Sequence, residues 1–431
     1  MDRRKFLGNS GAALSAVAFL PSFKATTPYA GSNEWAAFRA LFRLDPQLIH
    51  MTQMLLASHP KPVRDAIEMH RKKLDENPTE YWENNFIQFE KKARAAAAKY
   101  VEADPEEIML TDSTTMGLGL LYAGLRLSEN DEILTTTHDH YSTEKSLEYA
   151  AMRNNAKIKR ISLYTDPATV TVDQIVSTML SGIGDATRIV AVTWVHSVTG
   201  VKLPIPEMSA AIREVNSKRS TDRRIYFCVD GVHGFGVDDI TMKGMGCDFF
   251  VAGTHKWIFG PRGTGILYAR KDAWDMVNPI IPAFSELSYG MWMGAIPEAK
   301  LNFSDLHTPG GFHSFEHRWS LPEAFELHLT TGKAKIMQRN QELSEQLKQG
   351  LRGMRHVKVL TPMDKQLSAA INCFLIDGQK PEDVMKKLTG KKIISSVTPY
   401  KSHYNRLTPS VINTPDEVRQ CLNAIAGLKT T

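Results

Sequence analysis

Two side chains that can carry chemistry stand at the ends of apolar, strand-like runs. Asp230 ends the run 224–230, and Lys256 follows the run 248–254. Lysine strongly prefers water, and a carboxylate at a buried strand end needs a cationic partner. Lys256 is therefore either part of a surface turn or an amine held for chemistry. Asp230 is either in a structural salt bridge or bound to a cationic ligand.

Polar residues follow two further strand-like runs. Thr114 and Thr115 come after the run 106–111, where a helical pattern starts, and His140 follows the run 131–137. Hydroxyls and free backbone N–H groups at a helix start suit a phosphate, although serine and threonine are also ordinary N-caps. A histidine at such a position can stack on a planar ligand, titrate, bind a metal or be a solvated polar residue.

One ligand suits all these groups at once. Pyridoxal 5′-phosphate (PLP) has a phosphate for the helix start, a ring for the histidine, a ring nitrogen for the carboxylate and an aldehyde for the lysine. The carboxylate would keep the ring nitrogen protonated, and the amine would form a Schiff base with the aldehyde. The sequence therefore predicts PLP as the cofactor.

Alternating strand-like and helical segments must position these residues. This alternation favours an α/β fold with a mostly parallel central sheet and helices on both faces. Ligands of such sheets gather at the carboxyl ends of the strands, which is where the polar residues above stand. The strand candidates are 106–111, 131–137, 157–163, 187–195, 224–230, 248–254 and 263–270.

The chain is predicted to have three parts. Residues 1–30 form an export signal, and residues 31–300 form a large PLP-binding domain that begins with a helical segment. Residues 301–431 form a smaller α+β C-terminal domain. The loop 307–319, which contains proline and glycine, joins the two domains.

Two stretches of the sequence resemble a known family. VDGVHGFGVDD (229–239) and DFFVAGTHKWIFGPRGTGILY (248–268) resemble the class V aminotransferases, which are fold-type I PLP enzymes. The residues of these two stretches are most similar to the isopenicillin N epimerase-like branch. The resemblance extends from about residue 49 to residue 425. It implies the fold of a PLP-dependent transferase with a smaller C-terminal domain.

The resemblance implies a role for each strand-end residue. Lys256 would bind the cofactor aldehyde and move protons, and Asp230 would pair with the ring nitrogen. His140 would stack on the ring as the third catalytic residue. Thr114 and Thr115 match the phosphate-binding turn of the family.

Further cofactor contacts follow from the resemblance, with two departures. His233 would reach the region of the ring oxygen. Ser197 stands where the family often has asparagine, and Gly253 stands where many relatives have a phosphate-binding serine or threonine. Thr254 or His255 is the replacement expected for that phosphate contact.

The C-terminal segment YNRLTPSVINTPDEV (404–418) also resembles a family motif. Arg406 would then bind a substrate α-carboxylate through two parallel hydrogen bonds, whereas the alternative is a surface arginine. Fold-type I enzymes generally build their sites at a homodimer interface. The loop 307–319, with Arg318, is the segment expected to reach the neighbouring site, and a homodimer is expected.

Several reactions are compatible with these residues. Family members share proton removal by the lysine, and we expect transamination of an amino acid or a peptide-like secondary metabolite. Epimerisation and C–S lysis remain alternatives, as does a catalytically inactive PLP-fold binding protein. Persulfide transfer by a desulfurase is disfavoured, because the segment 394–407 contains no cysteine.

The N-terminus indicates export. Arg3 and Arg4 precede Phe6, Leu7 and a weakly apolar stretch 11–20, which is too short to span a bilayer. This pattern resembles a twin-arginine signal, the alternative being a chance basic start. We therefore expect a periplasmic mature protein with no membrane span. Periplasmic relatives that tailor the peptide siderophore pyoverdine combine such a signal with this fold, and the chain resembles them.

Composition excludes other classes. The chain is 42% hydrophobic and 23% charged with a net charge of +5, and it has no basic run, so nucleic acid is not an expected partner. Its four cysteines form no CxxC pair, which argues against a disulfide scaffold or zinc site. We expect no metal, and we expect the thiols of Cys228 and Cys247 to be buried.

Overall fold

A seven-stranded sheet forms the centre of the protein. The structure is a computed structural model that describes residues 32–297 and 304–428, so the predicted export signal, residues 1–30, lies outside the described residues. The short strand β1 (Ile49–His50) precedes the sheet in the chain. The strands of the sheet are β2 (Ile108–Thr111), β3 (Glu132–Thr136), β4 (Lys157–Ile161), β5 (Thr187–Thr193), β6 (Tyr226–Asp230), β7 (Phe249–Gly253) and β8 (Gly265–Ala269).

The strands of this sheet are mostly parallel, as predicted. They lie in the order β2-β8-β7-β6-β5-β3-β4. β8 pairs in antiparallel orientation with β2 and β7, and the other neighbours pair in parallel. The strands β5, β6 and β7 are almost entirely buried, which is why their sequences read as continuous apolar runs.

Helices cover both faces of the sheet, which confirms the predicted fold class. Along β6, Phe227 and Val229 belong to one core, and Cys228 between them belongs to the other. Within the described residues, no helix is long and apolar enough to cross a bilayer. The helices are α1 (Ser32–Ala40), α2 (Lys61–Glu76), α3 (Pro78–Val101), α4 (Thr114–Gly124), α5 (Tyr141–Asn154), α6 (Val172–Gly182), α7 (Ile205–Ser217), α8 (Met242–Met245), α9 (Glu286–Trp292), α10 (Ser304–His307), α11 (Phe315–Arg318), α12 (Leu321–Thr331), α13 (Lys333–Arg352), α14 (Pro381–Gly390) and α15 (Pro415–Ala426).

A second, smaller sheet lies in the C-terminal part. Its antiparallel order is β12-β13-β10-β9, while β11 pairs in parallel with β1. Leu321 and Phe325 of α12 pack in a core of the large sheet, whereas Leu343 of α13 packs in the core of the C-terminal part. The core of the large sheet also includes Leu360 and Cys373 from the C-terminal part, so the predicted domain boundary at residue 300 stays a prediction. The C-terminal strands are β9 (Val357–Val359), β10 (Asn372–Ile376), β11 (Ile393–Ile394), β12 (Ser396–Val397) and β13 (Asn405–Leu407).

The carboxyl ends of β2, β3, β5, β6 and β7 lie along one edge of the large sheet. β6 and β7 are direct neighbours, with Asp230 opposite Val251. Directly after Asp230, the chain leaves the sheet at Gly231. A Cβ added to Gly231 would lie 1.9 Å from the Phe250 ring. Glycine therefore allows the chain to turn at this edge, and the polar residues that follow the strands meet there.

Candidate active site

The predicted site residues meet in a cleft at this edge of the sheet. The cleft has a volume of about 160 Å³ and receives side chains from the ends of β5, β6 and β7 and from β13 of the smaller sheet. Every residue of the predicted site except Thr254 lines it. The lining residues among the predictions are Thr114, Thr115, His140, Ser197, Asp230, His233, His255, Lys256 and Arg406.

Lys256 stands in a turn that the upstream loop around residues 53–57 holds in place. Gln53 donates a hydrogen bond to its carbonyl oxygen at 2.8 Å, and the Ala57 N–H donates to the carbonyl oxygen of His255 at 3.1 Å. Burial lowers the pKa of the Lys256 amine to about 8. The negative charge of Asp230 raises this pKa but only partly offsets the effect of burial. A larger fraction of this amine is therefore neutral near pH 7 than in an ordinary lysine, as a nucleophile and base requires.

Asp230 ends β6 with a buried carboxyl group that is only 1% exposed. Its Oδ2 accepts from the Thr143 hydroxyl at 3.0 Å, and its Oδ1 accepts from the Val232 N–H at 3.2 Å. Burial raises its pKa to about 6, and these two donors and Lys256 oppose the shift. Because an ionised carboxylate has about four acceptor sites, the group can accept a further, cationic donor.

His140 caps the start of α5 with its ring. The Ser142 N–H donates to His140 Nδ1 at 3.1 Å, which places the ring proton on Nε2. Burial, together with the charges of Lys256 and Arg406, lowers the pKa of His140, so the ring is neutral. Asp139 holds the loop between β3 and α5 in place, because its Oδ1 accepts a hydrogen bond from the Thr193 N–H at 2.6 Å.

The neighbouring His138 is not arranged as a metal ligand. Its Nε2 accepts the Leu163 N–H at 3.1 Å, and its ring stacks on Tyr164 with the ring centres 4.0 Å apart. Burial lowers its pKa to about 3. The described ranges, 32–297 and 304–428, contain no group of three or more histidine, cysteine or acidic side chains that could hold a metal ion.

Two helices begin at one end of the cleft. Ser113 caps α4 by accepting the Met116 N–H at 3.1 Å, and the Thr115 and Ser142 hydroxyls, at the starts of α4 and α5, are 3.0 Å apart. The first N–H groups of a helix have no partner within the helix, and its dipole favours negative charge there. This end of the cleft therefore suits a phosphate.

Thr254, one of the two residues expected to contact the phosphate, does not line the cleft. Its hydroxyl is fully buried and is bonded to the Thr264 hydroxyl at 2.5 Å and to the Thr264 carbonyl oxygen at 3.1 Å. At Gly253, an added Cβ would lie 2.9 Å from His255 Cε1 and 3.0 Å from Thr114 Oγ1. These two side chains occupy the volume of the serine or threonine found in relatives, and His255, unlike Thr254, lines the cleft.

Arg406 is a buried cation whose hydrogen bonds go to neutral groups. It is 2% exposed and donates to Ser396 Oγ at 3.2 Å, to the Ser197 carbonyl at 3.1 Å and to the Val397 carbonyl at 2.8 Å. None of the ion pairs within the described residues involves it, and burial lowers its pKa. A buried charge of this kind is costly unless an anion joins it, so the position suits a substrate carboxylate. The alternative of a surface arginine is wrong.

Several cleft residues had no signal in the sequence. Tyr400 comes from the loop before β13, and its hydroxyl lies 2.6 Å from the Ser197 hydroxyl, which was expected to contact the ring oxygen. Both residues line the cleft, yet His233 Nδ1 and Thr193 Oγ1 are buried without a hydrogen-bond partner among the residues that the structure describes. Of these three residues, only His233 was predicted. Tyr400 and Thr193 were missed because tertiary contacts, which no local pattern encodes, bring them to the cleft.

Arg318 does not extend toward a neighbouring site. It is 3% exposed, and its guanidinium donates to Asp112 at 2.7 Å and to Glu90 at 3.3 Å within its own chain. The structure therefore places this side chain within its own chain, and the expectation that the loop 307–319 reaches a neighbouring site stays a prediction. The two carboxylates of its own chain offset part of the cost of burying this charge.

Comparisons with known proteins agree with this geometry. The chain matches the aminotransferase class-V family over residues 57–397. It is 23% identical over 352 residues to the isopenicillin N epimerase of Amycolatopsis lactamdurans, an alignment that covers 80% of this chain and 85% of the relative. It is 31% identical over 192 residues to a probable cysteine desulfurase of Pseudomonas putida, covering 44% of each chain.

Solved structures share the fold. A mutant of C-DES with glycine covalently linked to its PLP cofactor superposes with a TM-score of 0.80 at 22% identity, covering 90% of this chain and 98% of that one. The cysteine desulfurase of Thermococcus onnurineus superposes with a TM-score of 0.76 at 21% identity, covering 91% and 97%. Both likenesses support the large sheet and the smaller C-terminal part.

The polar groups of the cleft fit PLP. The starts of α4 and α5 would hold its phosphate, Asp230 has acceptor capacity for a protonated ring nitrogen, and His233 Nδ1 and Thr193 Oγ1 need polar partners. When bound there, PLP supplies an electron sink for a carbanion at the substrate α-carbon. The chain thus belongs to the aminotransferase class-V family, and it is a PLP-dependent enzyme of fold type I.

Proposed function

We propose that this protein transfers an amino group between an amino acid or peptide-like metabolite and a keto acid. The observation that carries the proposal is that Lys256 is the amine poised as a base in the cleft, with a pKa of about 8. Transamination needs a single group that removes the α-proton and delivers it again from the same side. The Lys256 amine suits both steps, because it is able to lose and regain a proton near neutral pH.

The state of His140 favours transamination over epimerisation. Inverting an α-carbon with two groups requires a proton donor on the side opposite Lys256, where the family resemblance places His140. Its Nδ1 lone pair is already used by the Ser142 N–H, and its lowered pKa keeps the ring neutral. His140 is therefore poorly suited to take up or deliver a proton. Epimerisation remains the second candidate, because the isopenicillin N epimerases match most of the chain.

The cysteines do not support persulfide transfer. All four thiols are buried, and burial raises the pKa of Cys373 to about 12. A thiolate is the form that attacks sulfur, and these thiols stay protonated and inaccessible. In the loop before Arg406, Pro399 and Tyr400 line the cleft, and neither has a thiol.

Arg406 is expected to bind the carboxylate of the substrate. Arg406→Met should lower kcat/KM for amino-acid donors by about 100-fold, because a buried charge-assisted pair is worth a few kcal/mol. The same donors lacking the carboxylate should react equally with both proteins, and Arg406→Lys should fall in between because it lacks the planar fork. Steady-state kinetics with matched amino acids and amines measures this. Equal losses for both kinds of donor would contradict the role.

Transamination and epimerisation differ in what they consume. With PLP-loaded protein, an amino donor and a keto acid, transamination should consume the keto acid and release the keto form of the donor in equal amounts. Chromatography of both compounds measures this. Epimerisation would instead change the configuration of the donor without any keto acid, and that result would replace the proposal. A comparison of periplasmic metabolites with and without the protein then identifies the donor.

We further propose that the protein acts in the periplasm as a homodimer on a peptide such as a siderophore. The twin-arginine-type pattern at Arg3 and Arg4 supports export. Apolar side chains exposed where α4 and α5 begin support a partner subunit there: Met116 is 38% exposed and Tyr141 is 64% exposed. Cell fractionation tests the location, and light scattering of the purified protein tests the dimer.

A further inference from the structure

The turn that precedes α4 carries a charge opposed to its expected ligand. Asp112 stands between Thr111, the last residue of β2, and Ser113, the N-cap of α4. The start of α4 is where the phosphate of PLP fits, and a carboxylate so close to a phosphate repels it. The helix dipole attracts a carboxylate or a phosphate to the N-terminus of a helix, but two such anions at the same N-terminus repel each other. The turn therefore needs a compensating cation.

Arg318 is placed to supply this cation. Its Nη2 donates to Asp112 Oδ1 at 2.7 Å, and its Nη1 donates to Glu90 Oε2 at 3.3 Å. Because Arg318 is 3% exposed, solvent and salt screen its charge less than they screen a surface arginine. The Asp112 side chain is 40% exposed, so the ion pair joins a buried guanidinium to a partly exposed carboxylate next to Ser113, which lines the cleft.

Glu90 holds Arg318 in this position. The indole N–H of Trp319 donates to Glu90 Oε1 at 3.2 Å, so both oxygens of this α3 carboxylate are engaged. Burial by itself raises the pKa of Glu90, but the charge of Arg318 and the nearby His313, whose Nε2 lies 3.7 Å from Glu90 Oε1, outweigh it and lower the pKa. Glu90 is thus ionised at neutral pH and fixes the guanidinium relative to α3.

We propose that Arg318 is a positioning residue of the phosphate site, which neutralises Asp112 and fixes the turn so that the start of α4 accepts a dianion. This role rests on the placement of the phosphate at the start of α4. Thr111 supports the same turn from the strand side, since its hydroxyl donates to the Ser113 carbonyl at 3.1 Å. Arg318 is therefore coupled to cofactor affinity without lining the cleft.

The affinity of the apoprotein for PLP, and for pyridoxal, which lacks the phosphate, tests this role. Arg318→Gln should bind PLP about tenfold more weakly, and it should bind pyridoxal like the wild type. Arg318→Lys keeps the charge and should retain most of the affinity for PLP. Adding Asp112→Asn to Arg318→Gln should restore PLP binding, because the repelling carboxylate is gone. Titration followed by visible absorbance gives the dissociation constants of all four proteins.

Arg94→Gln is the matched control. Arg94 and Arg318 line the same cavity of about 250 Å³ beside the turn, but Arg94 forms its ion pair with Asp305. Its replacement should leave both affinities unchanged. Equal losses for PLP and pyridoxal in Arg318→Gln, or failure of Asp112→Asn to restore PLP binding, would overturn the role.

Asp112→Asn by itself covers the case in which Arg318→Gln does not fold. With Arg318 intact and the carboxylate removed, the affinity for PLP should stay the same or increase. A weaker affinity would show that the carboxylate is needed rather than compensated, and the role would be wrong. If the wild type binds PLP no better than pyridoxal, then the placement of the phosphate itself is wrong.

Discussion

Replacing Lys256 with alanine is expected to lower turnover on the order of 10⁴-fold or more while the protein keeps its fold. The Lys256 amine lines the cleft with a pKa of about 8, and it is the group that we propose attaches the cofactor and moves the α-proton. The turn around it is held through backbone atoms, by Gln53 and Ala57, so the loss of the side chain leaves these contacts in place. Turnover of the best amino donor and circular dichroism measure the two parts of this expectation.

Lys348 provides a matched control for this substitution. Burial lowers its pKa to about 8 as well, but its amine donates to the Pro362 carbonyl and the Ser368 hydroxyl, both at 2.7 Å, far from the cleft lining. Borohydride should therefore attach the cofactor to Lys256 and not to Lys348, as peptide mass spectrometry would show. Lys348→Met should change stability and leave the attachment intact. Substantial activity in Lys256→Ala would refute the assigned role.

The sequence was sufficient to predict the sheet and most of the cleft. Continuous apolar runs marked the buried strands, and the rule that ligands gather at their carboxyl ends brought Asp230 and Lys256 together. The structure places β6 and β7 side by side, as that prediction required. The role of Arg406 was predicted from a motif alone. The structure adds a physical reason for that role, because Arg406 is buried and has no acidic partner among the described residues.

Other residues depended on contacts that no local pattern encodes. Whether Thr254 or His255 lines the cleft is decided by the direction in which each side chain leaves the end of β7, where Thr254 turns toward Thr264. Arg318 was expected to point outward, but Glu90 and Asp112, which are distant in sequence, bind it inside the chain. Tyr400 entered the cleft from the C-terminal part, so only tertiary packing could reveal it.

Asp230→Asn is expected to lower kcat on the order of 10³-fold, because a neutral amide cannot hold a ring nitrogen in its protonated form. Asparagine has nearly the same shape, so hydrogen bonds with Thr143 and the Val232 N–H remain possible. Single-turnover kinetics at saturating PLP measures the loss separately from cofactor binding. An unchanged rate would mean that the ring nitrogen does not depend on this carboxylate.

The same substitution predicts a change in pH dependence. The pKa of Asp230 is about 6 in the free protein, so its charge is present above this pH and is lost below it. Wild-type affinity for PLP should therefore fall as the pH decreases through 6, and the ratio of wild-type to Asp230→Asn affinity should approach one. Taking this ratio removes the titration of the cofactor itself.

The stability of the apoprotein should change in the opposite direction. A carboxyl group whose pKa is raised by burial destabilises the fold when it is ionised, and this cost decreases as the pH falls from about 6 to the ordinary value of 3.8. At pH 7.5 Asp230 is ionised, because this pH is above its pKa of about 6. The Asp230→Asn apoprotein should therefore unfold at a higher temperature than the wild type at this pH. Thermal unfolding without PLP measures this. A lower unfolding temperature would mean that Asp230 stabilises the fold, whereas the expected increase identifies a carboxylate kept for the cofactor at the expense of stability.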